Sequence, residues 1–272
     1  MTAIEETFQK LKKRKEAALI GYVTAGDPQP AYTPKIAEAL IKGGVDIIEL
    51  GLPFSDPIAD GPTIQAASLR ALNAGTKPKT VLQTAKEIRR SHDVPLVVMT
   101  YYNPVFHMGL TNFFQQAKDC LVDGVIIPDL PVEEADAYKK AAHAFKIDTI
   151  FLVAPSTSEL RLQKIVAATS GFLYAVSHFG VTGTKSTVED STLQFIKWLR
   201  PFTAGRVPLA VGFGISKPEH VKKVVTAGAD AAIVGSAFVN IISRHQQNLN
   251  RMLSELEEAA RALKGGAQSK VL

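Results

Sequence analysis

Residues 45–51 read VDIIELG, and this stretch indicates the fold more clearly than any other part of the chain. Its β-branched and aliphatic residues favour a strand. Successive side chains of a strand point to opposite faces, so Ile48 and Leu50 share one face. Ile47 and Glu49 share the other. A strand that is apolar on both faces is buried on both, which is typical of a parallel sheet covered by helices.

Short apolar runs of this kind recur along the chain and alternate with stretches of helical periodicity. The eight predicted strands are residues 19–24, 46–50, 96–101, 124–127, 149–153, 172–176, 208–211 and 231–235. The predicted helices are residues 34–42, 63–72, 80–90, 110–120, 133–145, 160–168, 192–199, 217–227 and 249–263. This alternation predicts an α/β protein, and eight units in about 250 residues fit a closed (β/α)8 barrel, the TIM barrel.

An open, doubly wound sheet is the alternative architecture, and it would favour a G-x-G-x-x-G turn after the first strand. That turn reads TAGDP at residues 24–28 and lacks the fingerprint. The amphipathic segment 4–13 is expected to be an extra N-terminal helix that closes the barrel floor. No linker or composition shift divides the chain. We therefore expect residues 1–272 to form a single TIM-barrel domain, with a frayed tail over 265–272.

Composition and charge limit the class of protein. The chain has 272 residues, of which 46% are hydrophobic and 21% charged, and these shares exclude intrinsic disorder. The single cysteine, Cys120, excludes an internal disulfide and fits a reducing compartment. The N-terminus lacks the pattern of a signal peptide and no apolar stretch reaches the length of a membrane span, so we expect a cytoplasmic protein. The net charge of +5 favours small anions, and the basic run at 12–15 is interpreted as a solvated helix face, with neither nucleic acid nor membrane as a partner.

Glu49 is the first candidate for chemistry, because barrel sites lie at the C-terminal ends of the strands. The strand pattern points its carboxyl into the barrel mouth. A desolvated carboxyl has a raised pKa, which suits a general acid or base near neutral pH. A structural ion pair with a barrel lysine or arginine is the alternative, but few of the predicted strands offer such a partner.

Asp60 and Tyr174 are further candidates whose spacing leaves alternatives open. Three prolines and a glycine stiffen the loop 53–62, in which Asp60 lies. Asp60 or Asp56 could equally be turn or cap residues before the helix that follows. Tyr174 shares a face of its strand with Phe172, so it could be an aromatic wall, a hydroxyl donor or simply part of the core.

Glycine-rich turns follow the last three predicted strands. They read GVTGT at 180–184, GFGIS at 212–216 and GS at 235–236. Glycines let backbone N–H groups approach an anion closely, and a helix N-terminus adds partial positive charge. The loops after strands seven and eight form the usual phosphate site of a barrel, so we expect a phosphorylated small molecule. Tight turns without a ligand are the alternative.

The sequence argues against several other chemistries. The run GVTGTKS at 180–186 is similar to a P-loop, but Thr184 separates the glycine from the lysine. The six histidines are scattered and no cluster of cysteine and histidine occurs, so no zinc site is expected. No G-x-S-x-G nucleophile elbow is present. His178 lies near the proposed site, where an ordinary loop role is favoured over a catalytic one.

The most specific motif of the chain is ELGLPFSDPIADGPTIQ at residues 49–65. It is supported by YVTAGDP at 22–28, PDLPVEE at 128–134, GVTG at 180–183 and GFGIS at 212–216. With these motifs the chain resembles the tryptophan synthase alpha subunit family along essentially its whole length.

This resemblance implies a lyase that cleaves indole-3-glycerol phosphate to indole and glyceraldehyde 3-phosphate by retro-aldol chemistry, with no cofactor and no metal. By match to the motifs, Glu49 would protonate indole C3 and handle the glycerol hydroxyl proton. Asp60 would stabilise positive charge at the indole nitrogen, and Tyr174 would pack near the reacting carbons. The resemblance also implies contacts with the two ends of the substrate. The phosphate would contact Gly183, Gly214, Gly235 and Ser236, and the indole ring would contact Tyr22, Met99 and Phe213.

The resemblance also implies a partner, a pyridoxal-phosphate beta subunit that receives indole through a tunnel in an alpha2-beta2 heterotetramer. Two alternatives stay open: a stand-alone indole-3-glycerol-phosphate lyase, and a chain that acts mainly as an allosteric binding partner of the beta subunit. Two positions depart from the family pattern. The family usually has an arginine before the glycine run, where this chain has His178 and then Phe179, and Gly21 stands where proline is common. The polar loop 178–190 is expected to close as a lid over the substrate.

Overall fold

The structure is a computed structural model that describes residues 1–176, 190–212 and 214–268. In this part of the chain the strands are β1 (Ala18–Thr24), β2 (Ile47–Gly51), β3 (Leu96–Met99), β4 (Gly124–Ile126), β5 (Asp148–Ile150), β6 (Leu152–Val153), β7 (Leu173–Val176), β8 (Leu209–Gly212) and β9 (Ala231–Val234). All their sheet pairs are parallel, in the order β5-β4-β3-β2-β1-β9-β8-β7-β6. The predicted parallel α/β fold is confirmed.

The barrel closes through β5 and β6, which were predicted as the single strand 149–153. Only Phe151 separates the two pieces, and β5 pairs with β4 whereas β6 pairs with β7. The carbonyl of Phe151 accepts a hydrogen bond of 3.0 Å from the backbone nitrogen of Tyr174. The fifth predicted strand is therefore split into two pieces. The first piece pairs with β4 and the second with β7, and these two pairings close the barrel.

Helices follow the strands and surround the barrel, and none in the described ranges is long and apolar enough to cross a membrane. The helices are α1 (Ala3–Lys13), α2 (Thr33–Lys42), α3 (Pro62–Asn73), α4 (Pro78–Ser91), α5 (Tyr102–Met108), α6 (Leu110–Asp119), α7 (Asp136–Ala144), α8 (Glu159–Ala168), α9 (Asp190–Thr203), α10 (Pro218–Thr226), α11 (Ser236–Arg244) and α12 (Leu249–Ala267). The short helix α5 was not predicted, and the predicted helix 133–145 is a 3-10 turn, Val132–Glu134, followed by α7.

The extra N-terminal helix is present and closes the barrel floor as predicted. Thr2 and Glu5 form a capping box at the start of α1, which satisfies backbone N–H groups that a helix leaves open. Its apolar side chains Ile4 and Phe8 are buried among the residues that fill the barrel interior, and Phe8 packs on Phe172 with ring centroids 6.2 Å apart. Because the floor is filled, a ligand can enter the barrel only from the opposite end.

The expectation of a frayed tail from residue 265 is wrong for the first residues of that segment. Helix α12 continues to Ala267, whose carbonyl accepts a hydrogen bond of 3.0 Å from the nitrogen of Ala17. Gly266 is buried against the carbonyl of Pro218, where a β-carbon would come within 2.3 Å. Close packing at Gly266 therefore keeps this end of α12 helical, although glycine has a low helix propensity. Residues 269–272 lie outside the described residues.

Candidate active site

A cavity opens at the mouth of the barrel, at the C-terminal ends of the strands. The described residues that line it are Tyr22, Glu49, Ala59, Asp60, Ile64, Met99, Ile126, Pro128, Leu152, Tyr174, Val176, Gly212, Gly214, Ile215, Ile233, Gly235 and Ser236. They include two carboxyls but no lysine, arginine or histidine. Most of the lining is apolar, which is typical of a pocket for a small ligand with a few polar groups that orient it.

Glu49 projects from β2 into this cavity, as its position in the strand predicts. Its Cα lies level with that of Tyr22 on β1, and its side chain is fully buried. Neither carboxylate oxygen has a hydrogen-bond partner among the described residues, so the alternative of a structural ion pair is not supported. Burial, and then the nearby charge of Asp60, raise the pKa of Glu49 to about 8. The carboxyl is therefore largely protonated at neutral pH and can act as an acid.

Asp60 reaches the same cavity from the loop between β2 and α3. Burial raises the pKa of its carboxyl to about 6, although a hydrogen bond of 3.0 Å from the hydroxyl of Tyr101 acts in the opposite direction. Asp60 does not cap α3, because Gly61 occupies the cap position. Asp56 is exposed, and among the described residues its side chain accepts a hydrogen bond only from Ser55. Of the two aspartates that the sequence left open, Asp60 is the one at the cavity.

Two tyrosines complete the polar part of the lining, and glycines on neighbouring strands make room for them. A β-carbon at Gly212 would lie 2.7 Å from the hydroxyl of Tyr174, and one at Gly51 would collide with the hydroxyl of Tyr22. Burial raises the pKa of both tyrosines well above the usual value, so both keep their protons. Tyr174 thus forms a wall of the cavity, and its ring also packs on Phe172 of the barrel interior, with ring centroids 6.5 Å apart.

The end of the cavity near β8 and β9 has the form of an anion site. Gly235 precedes α11 and Ser236 is its first residue. No side chain among the described residues caps this helix, so its first N–H groups are available to a ligand. Gly214 has a φ of +58°, which favours glycine. Gly183 and Phe213, predicted to contact the ligand, lie outside the described residues, as do His178 and the expected lid up to residue 189.

Comparison with known proteins identifies the family. A family model described as tryptophan synthase alpha chain matches residues 8–268. The tryptophan synthase alpha chain of Methanosarcina acetivorans is 49% identical, over 97% of this chain and 93% of its own length. That of Methanopyrus kandleri is 46% identical, over 96% and 91%. The chain belongs to the tryptophan synthase alpha chain family.

Solved structures agree with this assignment. Tryptophan synthase of Mycobacterium tuberculosis superposes with a TM-score of 0.89 at 33% identity, covering 97% of this chain and 98% of that one. A chain of the tryptophan synthase complex of Pyrococcus furiosus gives 0.84 at 39% identity, covering 92% and 98%. The chain is therefore a lyase of tryptophan biosynthesis, from the family whose alpha subunit cleaves indole-3-glycerol phosphate.

One departure from the tryptophan synthase alpha pattern lies away from the cavity. A β-carbon at Gly21 would approach Val45 and Leu40, at 3.2 and 3.5 Å. Position 21 therefore faces the helix layer, on the opposite face of β1 from Tyr22. Its contacts are with α2 and the turn after it rather than with a ligand.

Tyr101 is a site residue that the sequence reasoning missed. It was predicted as the last residue of the third strand, but β3 ends at Met99 and Tyr101 precedes α5. Its hydroxyl contacts Asp60, far away in sequence, and no local pattern signals such a contact. The only available signal was a tyrosine at the C-terminal end of a barrel strand, where site residues of a barrel are found.

Proposed function

We propose that Glu49 and Asp60 carry the cleavage of indole-3-glycerol phosphate in this cavity. The observation that supports the proposal is a pair of buried carboxyls with pKa values of about 8 and about 6 and no cation beside them among the described lining residues. Between these two values Glu49 is protonated and Asp60 is ionised. One acid and one anion in the same pocket are what the reaction needs.

The first step is protonation of the indole ring. Glu49 gives its proton to C3 of the indole, and the positive charge that forms is shared with the ring nitrogen. The ionised carboxylate of Asp60 stabilises that charge, and it acts strongly because the site is largely buried. The ring is thereby prepared to accept an electron pair from the bond to the glycerol side chain.

The second step breaks the carbon–carbon bond. The carboxylate now present on Glu49 takes the proton of the glycerol hydroxyl next to that bond. The oxygen forms the aldehyde of glyceraldehyde 3-phosphate, and the electron pair of the broken bond returns to the ring to restore indole. Glu49 ends protonated, as it began, so no external acid or base is consumed.

The remaining lining residues would hold the two ends of the substrate. The indole ring would lie against Tyr22 and Met99, with Phe213 included by resemblance, and Tyr174 would pack near the reacting carbons. The phosphate would lie at the N-terminus of α11 on Gly235 and Ser236, with Gly214 in the same lining and Gly183 included by resemblance. No cationic side chain lies in the described lining, so backbone N–H groups and the helix dipole would stabilise the phosphate.

A beta subunit is the proposed partner, in an alpha2-beta2 assembly that receives the indole. Ile58 and Phe106 are 82% and 69% exposed. Ile58 precedes the lining residue Ala59 in the loop before α3, and Phe106 lies on α5, which follows the C-terminal end of β3. Large apolar side chains exposed next to a cavity mouth fit a protein contact. The family and the single cysteine also support a cytoplasmic location.

The experiment is to measure indole release from indole-3-glycerol phosphate by the purified chain, with and without a tryptophan synthase beta subunit. Slow release by the chain alone and faster release in the complex are expected. The pH profile of kcat/KM should be bell-shaped, with limbs near 6 and 8. No indole from either preparation would contradict the proposal, and equal rates would favour a stand-alone lyase.

A further inference from the structure

Tyr101 lies behind Asp60 and contacts it without lining the cavity. It is buried and follows β3 by two residues, immediately before α5. Its hydroxyl oxygen lies 3.0 Å from Oδ2 of Asp60 and 3.0 Å from the backbone nitrogen of Ala59. One hydroxyl therefore contacts both the carboxylate and the backbone of the loop that carries it.

The chemistry of these groups fixes the direction of both hydrogen bonds. The N–H of Ala59 can only donate, so the oxygen of Tyr101 accepts it. The single proton of the phenol is then left for Asp60. Burial raises the pKa of Tyr101 above its usual value, so the hydroxyl keeps this proton. The result is a directed chain from Ala59 through Tyr101 to Oδ2 of Asp60.

The ring of Tyr101 holds the same loop at a third point. It stacks on Phe54 with ring centroids 5.3 Å apart and an interplanar angle of 27°. Phe54 is near the start of the loop 52–61, and Asp60 is near its end. A single side chain thus fixes both ends of the loop relative to β3, which is part of the rigid barrel.

We propose that Tyr101 is a positioning residue for the lyase reaction: its hydroxyl holds Oδ2 of Asp60 so that Oδ1 is presented to the indole N–H. This inference rests on the proposed function. Among the described residues no other side chain hydrogen-bonds this carboxylate, which leaves its second oxygen for the ligand. A hydrogen bond to the ionised form also favours that form, the one that stabilises a positive ring nitrogen.

Other ionisable groups face Asp60 and stay in place when Tyr101 is changed. Glu49 faces it from β2, Tyr22 from β1 and Tyr174 from β7. All three are neutral near pH 7, so their influence on Asp60 is the same in wild type and variant. A change in the ionisation of Asp60 can then be assigned to the lost hydroxyl.

The test is Tyr101→Phe, which keeps the ring and its stacking and removes only the hydroxyl. We expect kcat/KM at pH 7 to fall roughly ten- to hundredfold, because a hydrogen bond to a charged group is lost. The acidic limb of the kcat/KM profile should move to higher pH, since Asp60 loses a donor that favours its ionised form. Tyr102→Phe is the matched control, because its ring packs on Phe106 and no hydrogen bond of its hydroxyl is found in the described ranges. It should leave rate and profile unchanged.

A double variant separates positioning from general stability. If Tyr101 acts through Asp60, adding Tyr101→Phe to Asp60→Asn should change kcat/KM by less than about twofold. A further tenfold loss would overturn the inference. So would a Tyr101→Phe enzyme with a lower Tm but wild-type kcat/KM and an unmoved acidic limb. If the wild type itself releases no indole, the proposed function fails; if the wild type is active and Tyr101→Phe equals it, only this inference fails.

Discussion

The two ends of the barrel bury carboxylates in opposite ways. At the floor, three aspartates each accept a backbone N–H from the first residues of a neighbouring strand and each contact a cationic side chain. Asp46 accepts from Leu19 and pairs with Lys264, Asp123 accepts from Leu96 and pairs with Arg89, and Asp230 accepts from Leu209 and pairs with Arg200. The donor–acceptor distances to backbone nitrogen are 2.7, 2.8 and 3.0 Å.

At the mouth, Glu49 has no hydrogen-bond partner in the described part of the chain, and Asp60 has a neutral tyrosine. Burying a carboxyl without a partner costs stability, and the cost is lowered by keeping it protonated. The floor carboxylates therefore tie strands and helices together, whereas at the mouth Glu49 has a pKa suited to proton transfer and Asp60 is ionised near neutral pH. Position in the barrel, rather than residue type, separates the two roles.

The largest expected effect is on turnover. Glu49→Gln should keep the fold and the phosphate affinity but lose roughly 10²–10⁴-fold in kcat, because the amide can neither give nor take the proton. Steady-state kinetics of indole release measure this, with circular dichroism and inhibition by inorganic phosphate as controls for the fold and the anion site. Substantial turnover in a folded Glu49→Gln enzyme would remove the distinction between mouth and floor.

The same variant should change how stability depends on pH. The pKa of Glu49 is raised from an ordinary 4.5 to about 8 on folding. The contribution of the protonated Glu49 side chain to the unfolding free energy is therefore fully present below its unfolded pKa of 4.5. It is lost as the pH rises through the folded pKa of about 8. Between these values the wild type should lose roughly 3–5 kcal/mol of unfolding free energy relative to Glu49→Gln. Urea unfolding at several pH values checks this, and parallel pH curves for the two proteins would contradict it.

Much of this contrast could be predicted from the sequence, because it follows from local patterns. A glutamate in an otherwise apolar strand indicated Glu49, and the amphipathic segment before β1 indicated the floor helix. Contacts between distant segments could not be predicted. The hydroxyl of Tyr101 meets Asp60 only through the fold, and Gly266 is helical because it packs on Pro218 rather than because of its propensity. Helix α5 was missed because it is short and contains an internal proline.

A matched pair of floor variants tests whether pairing with a cationic side chain determines how much a floor carboxylate stabilises the fold. Asp148 is a floor aspartate whose Oδ2 has no hydrogen-bond partner among the described residues. Asp46→Asn should lower the unfolding free energy by about 2 kcal/mol, because the mostly buried Lys264 loses its nearer carboxylate, at 2.8 Å, and keeps only that of Glu16, at 3.5 Å. Asp148→Asn should change the unfolding free energy by less than about 1 kcal/mol, since among the described residues Asp148 has hydrogen bonds with the side chains of Thr2 and Ser170 but no cationic partner, so no paired charge is lost. Both variants should keep the wild-type kcat. Equal losses of unfolding free energy would show that pairing with a cationic side chain does not determine how much a floor carboxylate stabilises the protein.

The smallest of these effects concerns the anion site. Gly235→Val should raise KM about tenfold and weaken inhibition by inorganic phosphate, because a side chain there would hold the anion away from the N-terminus of α11. Its β-carbon would also lie 3.2 Å from Tyr22, so the phosphate inhibition is the more specific readout. Gly265→Ala is the matched control, since a β-carbon there meets nothing within 4 Å. An unchanged KM and unchanged phosphate inhibition in Gly235→Val would make this glycine structural only.

The carboxyl of Glu49 is buried at the barrel mouth without a hydrogen-bond partner among the described residues, and its ionisation can be measured directly. Difference infrared titration of the ligand-free chain, with Glu49→Gln as the reference, isolates the carbonyl band of this one protonated carboxyl. The band should persist through neutral pH and disappear with a midpoint near 8. A midpoint below about 5, the range of an ordinary glutamate, would contradict the account.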